Sequence, residues 1–156
     1  ILAAGPADLR ACEPLPCLPE ADALLELLAA TPGRWAWFSF SCRSGTELCD
    51  GSPFAEAVKL CAGVGRVAGV GINCSAPEHL DELLDIGRNL TDLPLLAYPN
   101  SGESYDPGRK TWVTGGPQSS LADQAPGWLS RGARGIGGCC RIGPADIADL
   151  RGTLLG

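Results

Sequence analysis

The feature that most constrains this chain is an alternation of strand-like and helix-like segments, repeated five times. Residues 7–13, "ADLRACE", read as a short strand. The helix that follows, "PEADALLELLAA" from Pro19, sets Ala21, Leu24, Leu25 and Leu28 on one face. A second strand, "WAWFSFS" at 35–41, leads to a helix at 53–63. The third strand, 66–73, is nearly all apolar, as expected of a parallel strand buried on both faces. Its helix carries Leu80, Leu83 and Leu84, with Ser75 and Glu78 at capping-box spacing. The fourth strand, 93–99, is followed by a polar loop at 100–117 and a helix at 119–131 that Pro126 and Gly127 should kink or break. A fifth strand at 134–138 and a helix from Pro144, with Ile147, Leu150 and Leu154 turned inward, complete the series.

Strict alternation predicts a parallel α/β fold. The polar residues that interrupt the pattern discriminate further. Glu13, Cys74, Asn100 and the pair Cys139–Cys140 each fall at the carboxyl end of a strand. A (β/α)8 TIM barrel builds its site there from several strands, whereas an open doubly wound sheet gathers its ligands at one switch point. The expectation is therefore a TIM-barrel type fold. A full barrel takes about 250 residues and eight units. Residues 1–156 would be the C-terminal five or so units of one barrel domain, with the N-terminal units missing. The absence of methionine and the isoleucine at position 1 fit a start that lies upstream. The partner expected for such a chain is that missing half, or a second copy covering the open strand edges.

Composition narrows the function classes. A net charge of −6 gives no general attraction for nucleic acid, and no apolar run reaches the roughly 20 residues needed to span a bilayer. "GVGRVAGVG" lacks the spacing of a dinucleotide loop and runs into a strand, not a helix. The glycosylation patterns at Asn73 and Asn89 read as chance, and the single histidine, His79, reads as a helix-turn residue. Trp35 and Trp37 are expected in the core, and Trp112 and Trp128 either there or over a pocket.

Eight cysteines are about 5% of the chain, below the roughly 8–10% of disulfide scaffolds. Five of them, Cys12, Cys17, Cys42, Cys49 and Cys61, read as reduced thiols packed as small hydrophobes. Cys74, Cys139 and Cys140 differ because strand ends in a barrel converge. Three thiolates leave a fourth position open on a tetrahedral zinc. Adjacent strand residues point to opposite faces, so Cys139 and Cys140 share a metal only where the backbone leaves strand geometry. Gly137 and Gly138 are expected to supply that freedom. Spacing alone leaves three readings open: zinc ligands, buried thiols, or a redox or disulfide pair. Zinc with three thiolates carries a net −1, which makes it a poor Lewis acid for hydrolysis. It suits a different task, holding a substrate thiol deprotonated below its usual pKa of about 8.5.

The stretches "GVGINCSAPEHL", "LAYPNSGESYD" with "KTW" after it, and "GGCCRIGPADIADL" resemble the homocysteine S-methyltransferases, and the likeness runs in order from the strand before Glu13 to the final helix. The resemblance implies Zn2+ held by Cys74, Cys139 and Cys140. It implies a homocysteine amino group bound by Glu13, although Pro14 stands where that family carries threonine. It also implies that Tyr98 and Asn100 shape the pocket or hold its loops, whereas Asn100-Ser101-Gly102 alone also suits a simple turn. Glu103, Tyr105 and Asp106 read equally as pocket or solvated loop residues. The implied activity is methyl transfer from S-methylmethionine or S-adenosylmethionine to homocysteine, giving methionine in the cytoplasm. The family's acidic opening motif has no counterpart here, which leaves a catalytically incomplete zinc-binding fragment as the alternative.

Overall fold

The structure, a computed structural model, describes residues 5, 7–113 and 119–156. Strand β1 (Leu9–Leu15) is followed by α1 (Leu18–Ala30), β2 (Trp35–Phe40), α2 (Phe54–Ala62) and β3 (Val67–Asn73). A 3-10 turn (Pro77–His79) opens α3 (Leu80–Leu90), and then come β4 (Leu95–Tyr98), β5 (Ser104–Asp106), β6 (Thr111–Val113), α4 (Leu121–Ser130), β7 (Ala133–Ile136) and α5 (Pro144–Leu155).

Five strands form one parallel sheet in the order β1-β2-β3-β4-β7, so spatial order follows chain order without reversal. Each helix packs on the next, α1 on α2 through to α4 on α5, as one layer. The core lies between that layer and the sheet, with Phe38, Phe40, Phe54, Val58, Val70, Ile72, Leu83, Leu84 and Trp128 fully buried. The apolar stripe of α1 behaves as its spacing requires, with Ala21, Leu25 and Leu28 buried. Its C-terminal carbonyls are closed by another unit: the Arg66 guanidinium donates to Leu28 O at 2.9 Å, to Ala29 O at 3.1 Å, and to Thr31 O. Four orphan carbonyls end any helix, and a cation there also meets the negative end of the helix dipole.

Several local expectations change. Ser75 does not cap a helix: it is buried, accepts the Cys42 N–H at 2.8 Å and donates to Asn73 O at 3.2 Å. The side chain therefore ties the loop after β2 to the loop after β3. Helix α4 runs unbroken through Pro126, because burial of Leu121, Ala122, Ala125 and Trp128 outweighs the single backbone bond that proline deletes. The polar stretch after β4 contains an antiparallel hairpin, β5 with β6, on which Tyr105 and Trp112 pack at 5.3 Å; residues 114–117 of that stretch lie outside the described residues. Ile147 is exposed, while Leu150 is buried and Leu154 half-buried, because among the described elements α5 packs chiefly on α4. Trp35 is also exposed, at the start of β2, whereas Trp128 occupies the core.

Candidate metal centre

The carboxyl ends of β3, β4 and β7 stand side by side, and their loops are laced together by backbone bonds. Cys74 N–H donates to Tyr98 O at 3.2 Å, Gly137 N–H to Ala97 O at 3.0 Å, and Cys139 N–H to Pro99 O at 2.8 Å. The ladder thus continues past both outer strand ends, one residue beyond β3 to Cys74 and three beyond β7 to Cys139. Cys74 then leaves strand geometry, at φ 51, where only about one non-glycine residue in many sits. After Cys139 the chain folds into a turn closed by Ile142 N–H to Cys139 O at 3.1 Å, with Arg141 at φ 69 in its third position. That is the signature of a type II turn, which rotates Cys140 to the side of Cys139.

The result is convergence: the sulfurs of Cys74, Cys139 and Cys140 all lie within 4.8 Å of one another, and Cys74 Sγ is 3.2 Å from Cys140 Sγ. Thiolates on one tetrahedral zinc, at about 2.3 Å each, stand about 3.8 Å apart. The donor set and its spacing therefore suit a thiophilic ion. All eight cysteines are free. Burial pushes the Cys74 thiol up, and the hydrogen bond with the Cys74 thiol, followed by burial, pushes Cys140 up. Both groups are thus neutral at pH 7 without a cation, and ion binding must displace their protons.

The backbone freedom expected of Gly137 and Gly138 is not what the turn uses. The positive φ angles belong to Cys74 and Arg141, and neither glycine has one. Gly138 is needed for space instead: a Cβ there would lie 2.2 Å from Ile142 Cγ2 and 2.5 Å from Ile142 Cβ. At Gly137 the nearest atom would be Tyr98 Cβ at an ordinary 3.6 Å.

Asn100 spans the site's two loops. Its N–H donates to Ser75 O at 3.1 Å, its Nδ2 to Cys74 O at 3.1 Å, and its Oδ1 accepts Gly102 N–H at 2.7 Å. Both ends of the amide are engaged by backbone, so the side chain positions Cys74. Glu13 lies apart from the cysteines in sequence and lines a cleft of about 300 Å3 with Trp37, Leu96, Tyr98 and Ile136; none of the three cysteines lines it, and the cleft reaches toward them only through Gly137 and Gly138, the residues before Cys139. Its carboxylate accepts a hydrogen bond from the Tyr98 hydroxyl, which in turn accepts Trp37 Nε1–H at 3.1 Å. Burial, and then the Glu13 acceptor, push the Tyr98 phenol well above its ordinary range, so Tyr98 remains a donor.

Sequence reasoning missed two features here. The Tyr98–Glu13 contact joins residues 85 apart, and no local pattern announces it. Arg141 and Glu103 form a two-pronged ion pair, Nε to Oε2 at 2.7 Å and Nη2 to Oε1 at 3.3 Å. The pair holds the Glu103 carboxyl below its usual range. Opposite charges in two site loops were the only available signal.

The family model for homocysteine S-methyltransferase matches residues 1–154. A homocysteine S-methyltransferase of Escherichia coli (strain K12) is 51% identical over 152 residues, which cover 97% of this chain and 49% of that protein. The homocysteine S-methyltransferase YbgG of Bacillus subtilis (strain 168) is 41% identical over 144 residues, 92% of this chain and 46% of its own length. Among solved structures, the metallated form of the homocysteine methyltransferase MmuM from Escherichia coli superposes with a TM-score of 0.79 at 46% identity, over 94% of this chain and 45% of that one. The chain spans about half the length of the curated relatives it matches. No helix among the described residues is long and apolar enough to cross a membrane. With the match running almost from end to end, the chain belongs to the homocysteine S-methyltransferase family.

Proposed function

We propose that residues 1–156 are the C-terminal part of a single (β/α)8 barrel domain that transfers a methyl group from a sulfonium donor, S-methylmethionine or S-adenosylmethionine, to the sulfur of homocysteine, giving methionine. The observation that carries this reading is the convergence of Cys74, Cys139 and Cys140 within 4.8 Å. The unreversed strand order and the single helix layer support the barrel, since a doubly wound sheet reverses its order and carries helices on both faces. The upstream units would close β1 and β7 onto the rest of the barrel.

Cys74, Cys139 and Cys140 would hold Zn2+, which supplies a charge able to keep a bound thiol ionised at neutral pH. Glu13, held by Tyr98, offers a carboxylate to the amino group of homocysteine. Asn100 keeps Cys74 in place, and the cleft walls, Trp37, Leu96 and Ile136, exclude water from the amino acid's stem. The donor leaves as a neutral thioether, so no residue is needed as a general acid. Reduced thiols are required throughout, which fits a cytoplasmic setting. No nucleic acid or membrane enters this reading.

A second reading, a zinc-binding fragment without activity, is favoured by the half-length match to the relatives. Metal analysis and methionine formation separate the two. The first reading expects one zinc per chain, its loss in Cys74→Ser, and methionine from homocysteine plus S-methylmethionine. One zinc with no methionine supports the fragment. A folded, reduced chain that takes up no zinc refutes both.

A further inference from the structure

The loop after β4 does more than connect. From Cys74, bonds run unbroken to Cys140 by way of this loop: Cys74 O to Asn100 Nδ2 at 3.1 Å, Asn100 Oδ1 to Gly102 N–H at 2.7 Å, Ser101 N–H to Cys140 O at 3.1 Å. Glu103 finishes the circuit. Ser101 Oγ donates to Glu103 Oε2 at 2.9 Å, and the same carboxylate grips Arg141, the residue immediately after Cys140.

Three observations set this pair apart from an ordinary surface ion pair. The contact is forked, with two N–H donors on two oxygens, the geometry that makes arginine–carboxylate pairs specific. The Glu103 side chain is only 15% exposed and has a second donor in Ser101, so one of its ends is fixed before Arg141 arrives. Arg141 also occupies φ 69, the left-handed region where glycine is the undemanding choice. A residue kept in a costly conformation points to a requirement for its side chain. The neighbouring ion pairs, Arg131 with Asp81 and Asp85, tie helices together and touch none of the three cysteines.

We propose that Glu103 and Arg141 form a clasp that holds the Cys139–Cys140 turn against Cys74, preassembling the three-thiol site and slowing loss of its metal. They are positioning residues and do not ligate the ion. The clasp is neutral as a pair, so it orders the turn without altering the charge of the thiolates. Partners of this kind, one step removed from ligands, change metal affinity by about 10–100-fold when removed. Two contacts outside the ligands themselves place this pair near the lower end.

The inference rests on the metal reading of the three cysteines, and the experiment separates the two. Zinc affinity is measured on the 156-residue chain by competition with a chromophoric chelator, for wild type, Glu103→Gln, Arg141→Gln and the double variant. Cobalt(II) spectra and far-UV circular dichroism accompany each. Both single variants should bind zinc about tenfold more weakly and release it faster, with the charge-transfer bands of three thiolates intact. The double variant should lose no more than Glu103→Gln alone, because Arg141 acts through Glu103, whereas Glu103 also holds Ser101. Wild-type affinity in a single variant overturns the clasp, and so does a double variant whose loss is the product of the two. Failure of the folded wild type to bind zinc or cobalt is a different result: it removes the metal reading itself, and the clasp with it.

Discussion

Gly138→Ala is the sharpest single perturbation of the turn that carries two of the thiols. The added methyl would sit 2.2, 2.5 and 2.8 Å from Cγ2, Cβ and Cγ1 of Ile142. Those atoms belong to a β-branched side chain next to its own backbone, so no rotamer change clears all three. Relief requires about 1 Å of movement, either of the Ile142 segment or of the Gly138–Cys139 backbone, to restore ordinary carbon contacts of about 3.5 Å. Overpacking of this kind costs about 1–3 kcal/mol. At about 2–4 °C per kcal/mol for a chain of this size, melting should fall by roughly 2–12 °C. The site should suffer more than the fold, since ligands must be held within about 0.5 Å of their working geometry, and zinc affinity should drop at least about tenfold. Gly137→Ala is the internal control, because its methyl would meet nothing closer than 3.6 Å. Its melting point and affinity should stay near those of the unaltered chain. Differential scanning calorimetry and chelator competition read both quantities. Equal behaviour of the two alanine variants, or greater damage from Gly137→Ala, would refute the argument from space and return the glycines to a role in conformational freedom.

Two further outcomes concern stability. Burial pushes the Cys42 and Cys61 thiols up to about 12, from the ordinary 9.0. The folded state favours the protonated form, so each thiol's contribution is complete below pH 9 and is lost between pH 9 and about 12, reaching about 2 kcal/mol per thiol by pH 10.5. Urea midpoints should therefore fall on going from pH 7.5 to 10.5, and less steeply in Cys61→Ala; identical pH slopes would contradict the assignment. Asn100→Ala strands the half-buried Cys74 carbonyl, at a cost of about 1–3 kcal/mol. Denaturant melts without metal should show that loss, and an unchanged midpoint would mean that water replaces the amide.

Much of the architecture was legible because each unit repeats one physical pattern. The apolar run of β3 and the i, i+3, i+4 leucines of α1 and α3 fix which faces are covered, and parallel alternation follows. The three sulfurs were legible only in part: their places at strand ends set Cys74, Cys139 and Cys140 apart, but spacing left zinc ligands, buried thiols and a redox pair open, and what the structure adds is their convergence. What escaped prediction involved competition between local and distant partners. Ser75 has the spacing of a cap, yet the buried Cys42 N–H, from another unit, takes its hydroxyl. Pro126 should interrupt α4, but Trp128 on the same helix is core, and packing prevails over propensity. Ile147 fits an inward stripe that lacks a neighbour to meet it. The hairpin β5–β6 is two three-residue strands in a polar stretch, too short for periodicity to register. Arg141 and Glu103 are 38 residues apart and were recognisable as partners only after the turn was seen.

Strand β7 has four residues and, among the described strands, a single ladder neighbour, β4. The cysteine pair lies just beyond its end, and Cys140 meets a thiol 66 residues earlier in the chain. An ion held by all three sulfurs, as proposed, would act as a rivet at this margin of the sheet, joining β7 to β3 across the strand between them. Chelation should make the backbone amides of β7 and α5 exchange with solvent sooner, while those of β2 and β3 keep their protection. The site would then report on the order in which the molecule comes apart as well as on the chemistry it hosts.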